Sequence, residues 1–134
     1  MRWILAMTLV CLVSFSPAQA QSNAEIEATI SKQIDAFRNN DIDTAFSFAS
    51  PGLRQMFGNA QNFGTMVQQG YPMVWRPSAF QFETLRVEGA QYFQRILITD
   101  AAGVQHLLEY ALSQTSDGWH INSVVILEAP QVGV

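Results

Sequence analysis

The sequence predicts an α+β fold, with helices first and an antiparallel sheet second. Two observations carry this. Ile26, Ile30, Ile34 and Phe37 recur at intervals of four, four and three, which lays one apolar stripe along a helix between Glu25 and Asn39. Beyond Pro77 the pattern changes: residues 80–88, 92–99, 105–114 and 119–128 are rich in β-branched and aromatic side chains. The stretch 63–77 lies between the two regimes and forms the joint between layers. Several helices followed by a strand meander give helices packed on one face of a sheet.

The elements follow in order. Asn39-Asn40 ends the first helix, and Asp41 is placed to cap a second that carries Ile42, Ala45, Phe46 and Ala49. Ser50-Pro51 breaks that segment, and Pro51 opens a short third turn with Leu53, Met56 and Phe57. Gly58-Asn59 restarts the chain. Phe63, Met66 and Val67 line a fourth helix that stops at Gly70. The runs 100–103 and 116–118 read as hairpin turns.

The N-terminus reads as an export signal. Met1-Arg2 are followed by a mostly apolar run from Trp3 to Val13, then by Ala18-Gln19-Ala20, so cleavage is expected after Ala20. The apolar run is shorter than the roughly 20 residues that cross a bilayer. The mature domain is then 21–134, periplasmic or secreted. Cys11 is the only cysteine and leaves with the signal, so no disulfide or thiolate metal site is expected. The mature chain has six Lys and Arg against eleven Asp and Glu, a net charge of −5. Its cations are scattered, which excludes a nucleic-acid footprint. The acidic balance argues against an anionic membrane surface.

Two layers of resemblance then appear. Residues 34–46 followed by Ser50-Pro51, together with Asp117-Gly118-Trp119-His120-Ile121, resemble the first helical pair and the last hairpin of nuclear-transport-factor-two-like (cystatin-like) domains. Residues 45–51, 66–72 and Arg76-Pro77 resemble a bacterial family of domains of unknown function, number 4864. The resemblance implies a cone-shaped fold whose curved antiparallel sheet wraps a long N-terminal helix. It implies no activity, because that fold hosts enzymes, binders and dimerisation modules.

Two-residue hairpin loops at Ala101-Ala102 and Asp117-Gly118 predict a register. Arg95 then faces Leu108, Phe93 faces Tyr110, Tyr110 faces Val125, and His120 faces Thr115. Phe93, Arg95, Leu97, His106, Leu108, Tyr110, Leu112, Trp119, Ile121, Val125 and Leu127 form the face toward the helices. Arg95 is anomalous there, and expects either a helix carboxylate such as Asp35 or Asp41, or a bound carboxylate ligand held by its planar fork. On the opposite face Ile96, Ile98, Leu107, Val124 and Ile126 form an aliphatic patch that predicts a homodimer, unless the leader or the tail 129–134 folds over it.

The candidate ligand-binding residues are Tyr71, Trp75, Arg76, Arg95, His106 and Tyr110. Tyr71, Trp75 and Arg76 read either as a structural plug at the layer joint or as the rim of a pocket in the cone mouth. No catalytic triad, phosphate loop, nucleotide-binding glycine pattern or metal-ligand cluster is present, so neither a metal nor a cofactor is expected. The two histidines lie too far apart along the predicted strands to share an ion. The leading functional reading is a non-enzymatic module that binds a small ligand or a partner. A small cone-pocket enzyme of hydrolase, isomerase or dehydratase type needs His106 beside Asp35 or Asp41, and a purely structural dimer needs a filled cone.

Overall fold

The computed structural model describes residues 17–128. Five helices precede four strands: α1 (Pro17–Arg38), α2 (Ile42–Ser47), α3 (Pro51–Phe57), α4 (Ala60–Gly70), α5 (Pro72–Trp75), β1 (Ala79–Glu88), β2 (Gln91–Thr99), β3 (Gln105–Thr115) and β4 (Gly118–Glu128). The strands form one antiparallel sheet in the order β1-β2-β3-β4. This is the expected α+β arrangement. The signal-peptide and Cys11 expectations for residues 1–16, and the tail 129–134, lie outside the described residues.

α1 supplies the central stripe: Ile26, Ile30 and Ile34 are fully buried and Phe37 nearly so. Its end is stapled by local backbone bonds. Asp41 N–H donates to Ala36 O and Asn40 N–H to Phe37 O, with Asn40 at φ 56°. That is the pattern of a helix stop with a left-handed residue at its end, a role asparagine tolerates better than most. The short helices begin with side-chain caps: Asp41 as expected, and Ser50 and Asn59 besides. Thr44 N–H donates to Asp41, Leu53 N–H to Ser50 and Asn62 N–H to Asn59.

α2 and α4 approach so closely that position 64 must be glycine. A Cβ there would lie 2.9 Å from the Ile42 Cγ2 methyl. Ile42 is β-branched and cannot swing that methyl away freely. Gly64→Ala is therefore expected to destabilise by about 1–3 kcal/mol through overpacking, read by urea melts. An unchanged or raised stability would show that the two helices can part without cost.

The sheet register differs from the expected one, for two identifiable reasons. The β2–β3 hairpin has a three-residue connection, because Asp100 and Val104 still bond across it and Gly103 takes φ 84°. One extra residue shifts the pairing by one, so Arg95 faces Glu109 and Ile96 faces Leu108. Every β2 side chain changes face. The β3–β4 hairpin turns at Ser116-Asp117, so Ser113 faces His120. A bulge at Asn122 then exchanges the faces of the rest of β4, and Val124 instead of Val125 lies opposite Tyr110. The expected faces of β3 and of the first half of β4 stand, while those of β2 and the second half of β4 invert.

The expected dimer patch is dissolved by this shift. Ile96 and Ile98 are fully buried in the core. Leu107 lies on the other face, opposite Leu97. Val124 packs against the core, and Ile126 keeps 39% of its surface exposed.

β1 carries its own irregularity between Phe82 and Leu85. Buried Gln94 fills the gap, its amide donating to Glu83 O at 3.0 Å and Arg95 O at 2.9 Å. β4, an edge strand, is covered at one point: Ile121 N–H donates to Phe48 O, and Ser50 N–H to Ile121 O. The segment between α2 and α3 is thereby tied to the sheet.

The β2–β3 loop is held by one carboxylate. Asp100 Oδ1 accepts from Ala102 and Val104 N–H, and Oδ2 lies 2.8 Å from His106 Nε2. The His106 hydrogen bond, followed by the Val104 amide, holds the Asp100 carboxyl below its ordinary range. A carboxyl lowered by folding stabilises the fold above its unfolded-state pKa, and that contribution vanishes as pH falls through the lower folded-state value. Asp100→Asn should therefore melt lower than wild type near neutrality, and the gap should close as pH falls below the ordinary carboxylate range. Thermal melts across pH check this, and a gap constant down through that range would contradict it.

Candidate functional site

The helices and sheet do not fill the cone. A cavity of about 230 Å³ lies between α1, α3, α4, β3 and β4. Its apolar wall includes Phe37, Met56, Phe63, Met66, Val67 and Val124. Gln33, Tyr71, Tyr110, Asn122 and Ser123 supply the polar atoms. The local causes are legible. The α1 stripe brings Gln33 and Phe37 to the cavity floor. The caps at Ser50 and Asn59 aim α3 and α4 across it. The Asn122 bulge turns β4 at the rim.

Met56 is 68% exposed although it lines the cavity, which marks the mouth. α3 carries no buried residue, so this side of the cone is closed by lightly packed chain. Deeper in, Phe63 is ringed by Phe37, Phe46 and Phe57 at centroid distances of 5.8, 5.4 and 5.5 Å. These aromatic pairs make the inner wall rigid.

The six sequence candidates separate into three places. Tyr71 and Tyr110 line the cavity. Tyr71 closes the helical layer onto the sheet, its hydroxyl donating to Val124 O at 2.9 Å. Tyr110 is fully buried, and its hydroxyl has no hydrogen-bond partner among the described residues. Burial pushes the Tyr110 phenol well above its ordinary range, and the neighbouring Tyr71 adds to the shift. The group is a neutral O–H across the physiological range.

Trp75 and Arg76 form the joint. Trp75 packs on Phe37 at 5.7 Å, and the Arg76 guanidinium covers the Trp75 ring at 4.6 Å. Arg76 also donates to Phe37 O at 2.6 Å, to Trp75 O at 2.8 Å and to Asn40 Oδ1 at 2.6 Å. This guanidinium caps the end of α1, and its contacts are those of a structural plug.

Arg95 and His106 lie elsewhere. Arg95 sits on the outer face, 42% exposed, with Nε 3.1 Å from Glu109 Oε2. The expected helix partners are otherwise engaged: Asp35 pairs with Arg38, and Asp41 caps α2. Arg86 reaches the same Glu109 at 3.5 Å and covers Phe93 at 4.6 Å. His106 does face the core side, but its partner is Asp100 in the adjacent loop. Arg95, His106 and Tyr110, expected on one sheet face, are therefore split between two. His106 beside Asp35 or Asp41 does not form. Among the described residues, no group of three or more His, Cys, Asp or Glu side chains converges as a metal site would require.

The sequence did not single out Gln33, Met56, Val67 or Val124 as site residues. Met56 and Val67 read as helix-face residues and Val124 as part of the aliphatic patch, and only the assembled layers show that they leave a gap beside Gln33.

A family model described as a domain of unknown function (DUF4864) matches residues 19–134. Among solved structures, the chain is similar to a domain of unknown function with a cystatin-like fold from Nostoc punctiforme. The two share 14% identity over 88% of this chain and 82% of that one, with a TM-score of 0.57. It is also similar to a putative dehydratase of the NTF2-like family from Streptomyces avermitilis, at 12% identity over 85% of this chain and 99% of that one, TM-score 0.52. At such identities the likeness establishes the cone-shaped fold alone. No curated protein matches the chain.

Proposed function

The chain belongs to the DUF4864 family, and from that premise we propose that it is a non-enzymatic module whose cone cavity holds a small, largely apolar ligand. One observation carries this reading: among the described residues, the cavity wall contains no Asp, Glu, His, Lys or Arg. General acid–base chemistry needs a group that titrates near the working pH within reach of the substrate. Among the described residues, the titratable groups on this wall are the phenols of Tyr71 and Tyr110. An open, mostly apolar space with a few placed polar atoms is the common form of a small-ligand site. The space, at about 230 Å³, has room for about eight water-sized groups.

The test is a methyl NMR titration with cumene, a neutral hydrocarbon of matching size. Saturable shifts are expected at Val67, Val124, Met56 and Met66, with none at Leu97 and Leu107 on the outer face. Shifts confined to the outer face, or none at all, would overturn the reading in favour of a structural module.

Export completes the proposal. Residues 17–20 of α1 are exposed and the first buried side chain is Ile26. Among the described residues, cleavage after Ala20 thus removes only exposed side chains and leaves Glu25, which accepts from Trp119 Nε1 at 2.7 Å. N-terminal sequencing of the exported protein should begin at Gln21. Retention of Trp3 would contradict it.

A further inference from the structure

The polar groups around the cavity are unequal. Gln33 commits its amide nitrogen to Ala45 O at 3.1 Å, Tyr71 its hydroxyl to Val124 O at 2.9 Å, and Asn122 its amide to Ser113 Oγ at 2.5 Å. Ser123 is exposed. Tyr110 differs: its hydroxyl is buried without a partner, on a side chain that lines the cavity. A buried donor left unmade is costly, and native structures seldom keep one without a use.

Among the described residues, no cation stands on the wall to receive an anion. Arg76 is bound to the end of α1, and Arg95 to Glu109 on the other side of the sheet. A carboxylate placed here would lose its hydration and gain no counter-charge. The carboxylate ligand expected from the sequence has no partner in this cavity.

Resting on the cavity reading above, we propose that the ligand is a neutral, mainly apolar molecule bearing one hydrogen-bond acceptor, such as a ketone, aldehyde or ester carbonyl, and that Tyr110 is the residue that selects it. The Tyr110 O–H donates to that acceptor, while Phe37, Phe63, Val67 and Val124 enclose the hydrocarbon part. Selection by a buried donor is sharp in one direction. It rewards an acceptor at one place and gives nothing to a hydrocarbon of the same shape.

Three probes of nearly equal size separate the possibilities: acetophenone, cumene and benzoate. Calorimetric titration of the wild-type protein is expected to rank acetophenone first, roughly three- to tenfold tighter than cumene, with benzoate weakest. Tyr110→Phe should erase the preference for acetophenone and leave cumene affinity within about twofold, because only the hydrogen bond is removed. The variant is expected to melt no lower than wild type, since the hydroxyl it removes has no partner. Should the variant not fold, the wild-type ranking still decides. Equal affinity for acetophenone and cumene would overturn the acceptor proposal while leaving the cavity reading intact. Benzoate binding tightest would overturn the neutrality of the ligand. Failure of all three probes to bind would overturn the cavity reading itself.

Discussion

Ile96→Glu is expected to abolish folding. Ile96 is fully buried, between Phe82 on β1 and Leu108 on β3, in the same core cluster as Ile26, Ile30 and Ile34 of α1. A carboxylate at that place has no cation to meet, and its desolvation rivals the roughly 5–15 kcal/mol that holds a domain of this size together. The neighbouring Leu97→Glu should change stability by about 1 kcal/mol or less, because Leu97 lies on the outer face and is only partly covered. Circular dichroism and urea melts of the pair distinguish the registers directly. A folded Ile96→Glu beside an unfolded Leu97→Glu would mean a two-residue hairpin at 101–102 and the opposite assignment of β2.

Arg76→Met is expected to destabilise by about 2–4 kcal/mol. The methionine keeps most of the stem but loses charge-assisted bonds to Phe37 O and Asn40 Oδ1, together with the cover over Trp75. The loss falls where α1 stops and α5 begins, so the joint between layers loosens. Arg76→Lys should recover only part, since an ammonium cannot reproduce the planar fork that reaches both acceptors. Denaturant melts measure all three proteins. A shift below about 0.5 kcal/mol for Arg76→Met would show that the guanidinium is a bystander at the joint.

The elements were legible in the sequence because their signals are local. Asp41, Ser50 and Asn59 begin α2, α3 and α4 as N-caps, and Gly70 ends α4. The intervals among Ile26, Ile30, Ile34 and Phe37 describe the buried face of α1. α5 was not legible, because a four-residue helix beginning at Pro72 has no periodicity of its own. The sheet faces turned on one residue in a loop. Asp100 can close either a two- or a three-residue hairpin, and the choice follows from its bonds to Ala102, Val104 and His106, which the pattern of apolar residues does not encode. The bulge at Asn122 has the same character. The cavity was least legible. Phe37, Val67 and Val124 are apolar whether they meet or leave a space, and that depends on contacts far apart in the chain. Tyr110 was named as a candidate on the apolar face, and His106 does share that face, but Arg95 was placed beside them by the wrong register.

The cone holds an open apolar space lined by Tyr110, whose buried hydroxyl has no partner among the described residues. Xenon-pressurised crystals test it most directly, since xenon enters apolar cavities and scatters anomalously. An anomalous peak is expected among Phe37, Phe63, Val67 and Val124, against the Tyr110 ring. A cone filled by its own side chains, with no xenon among those residues, would contradict it.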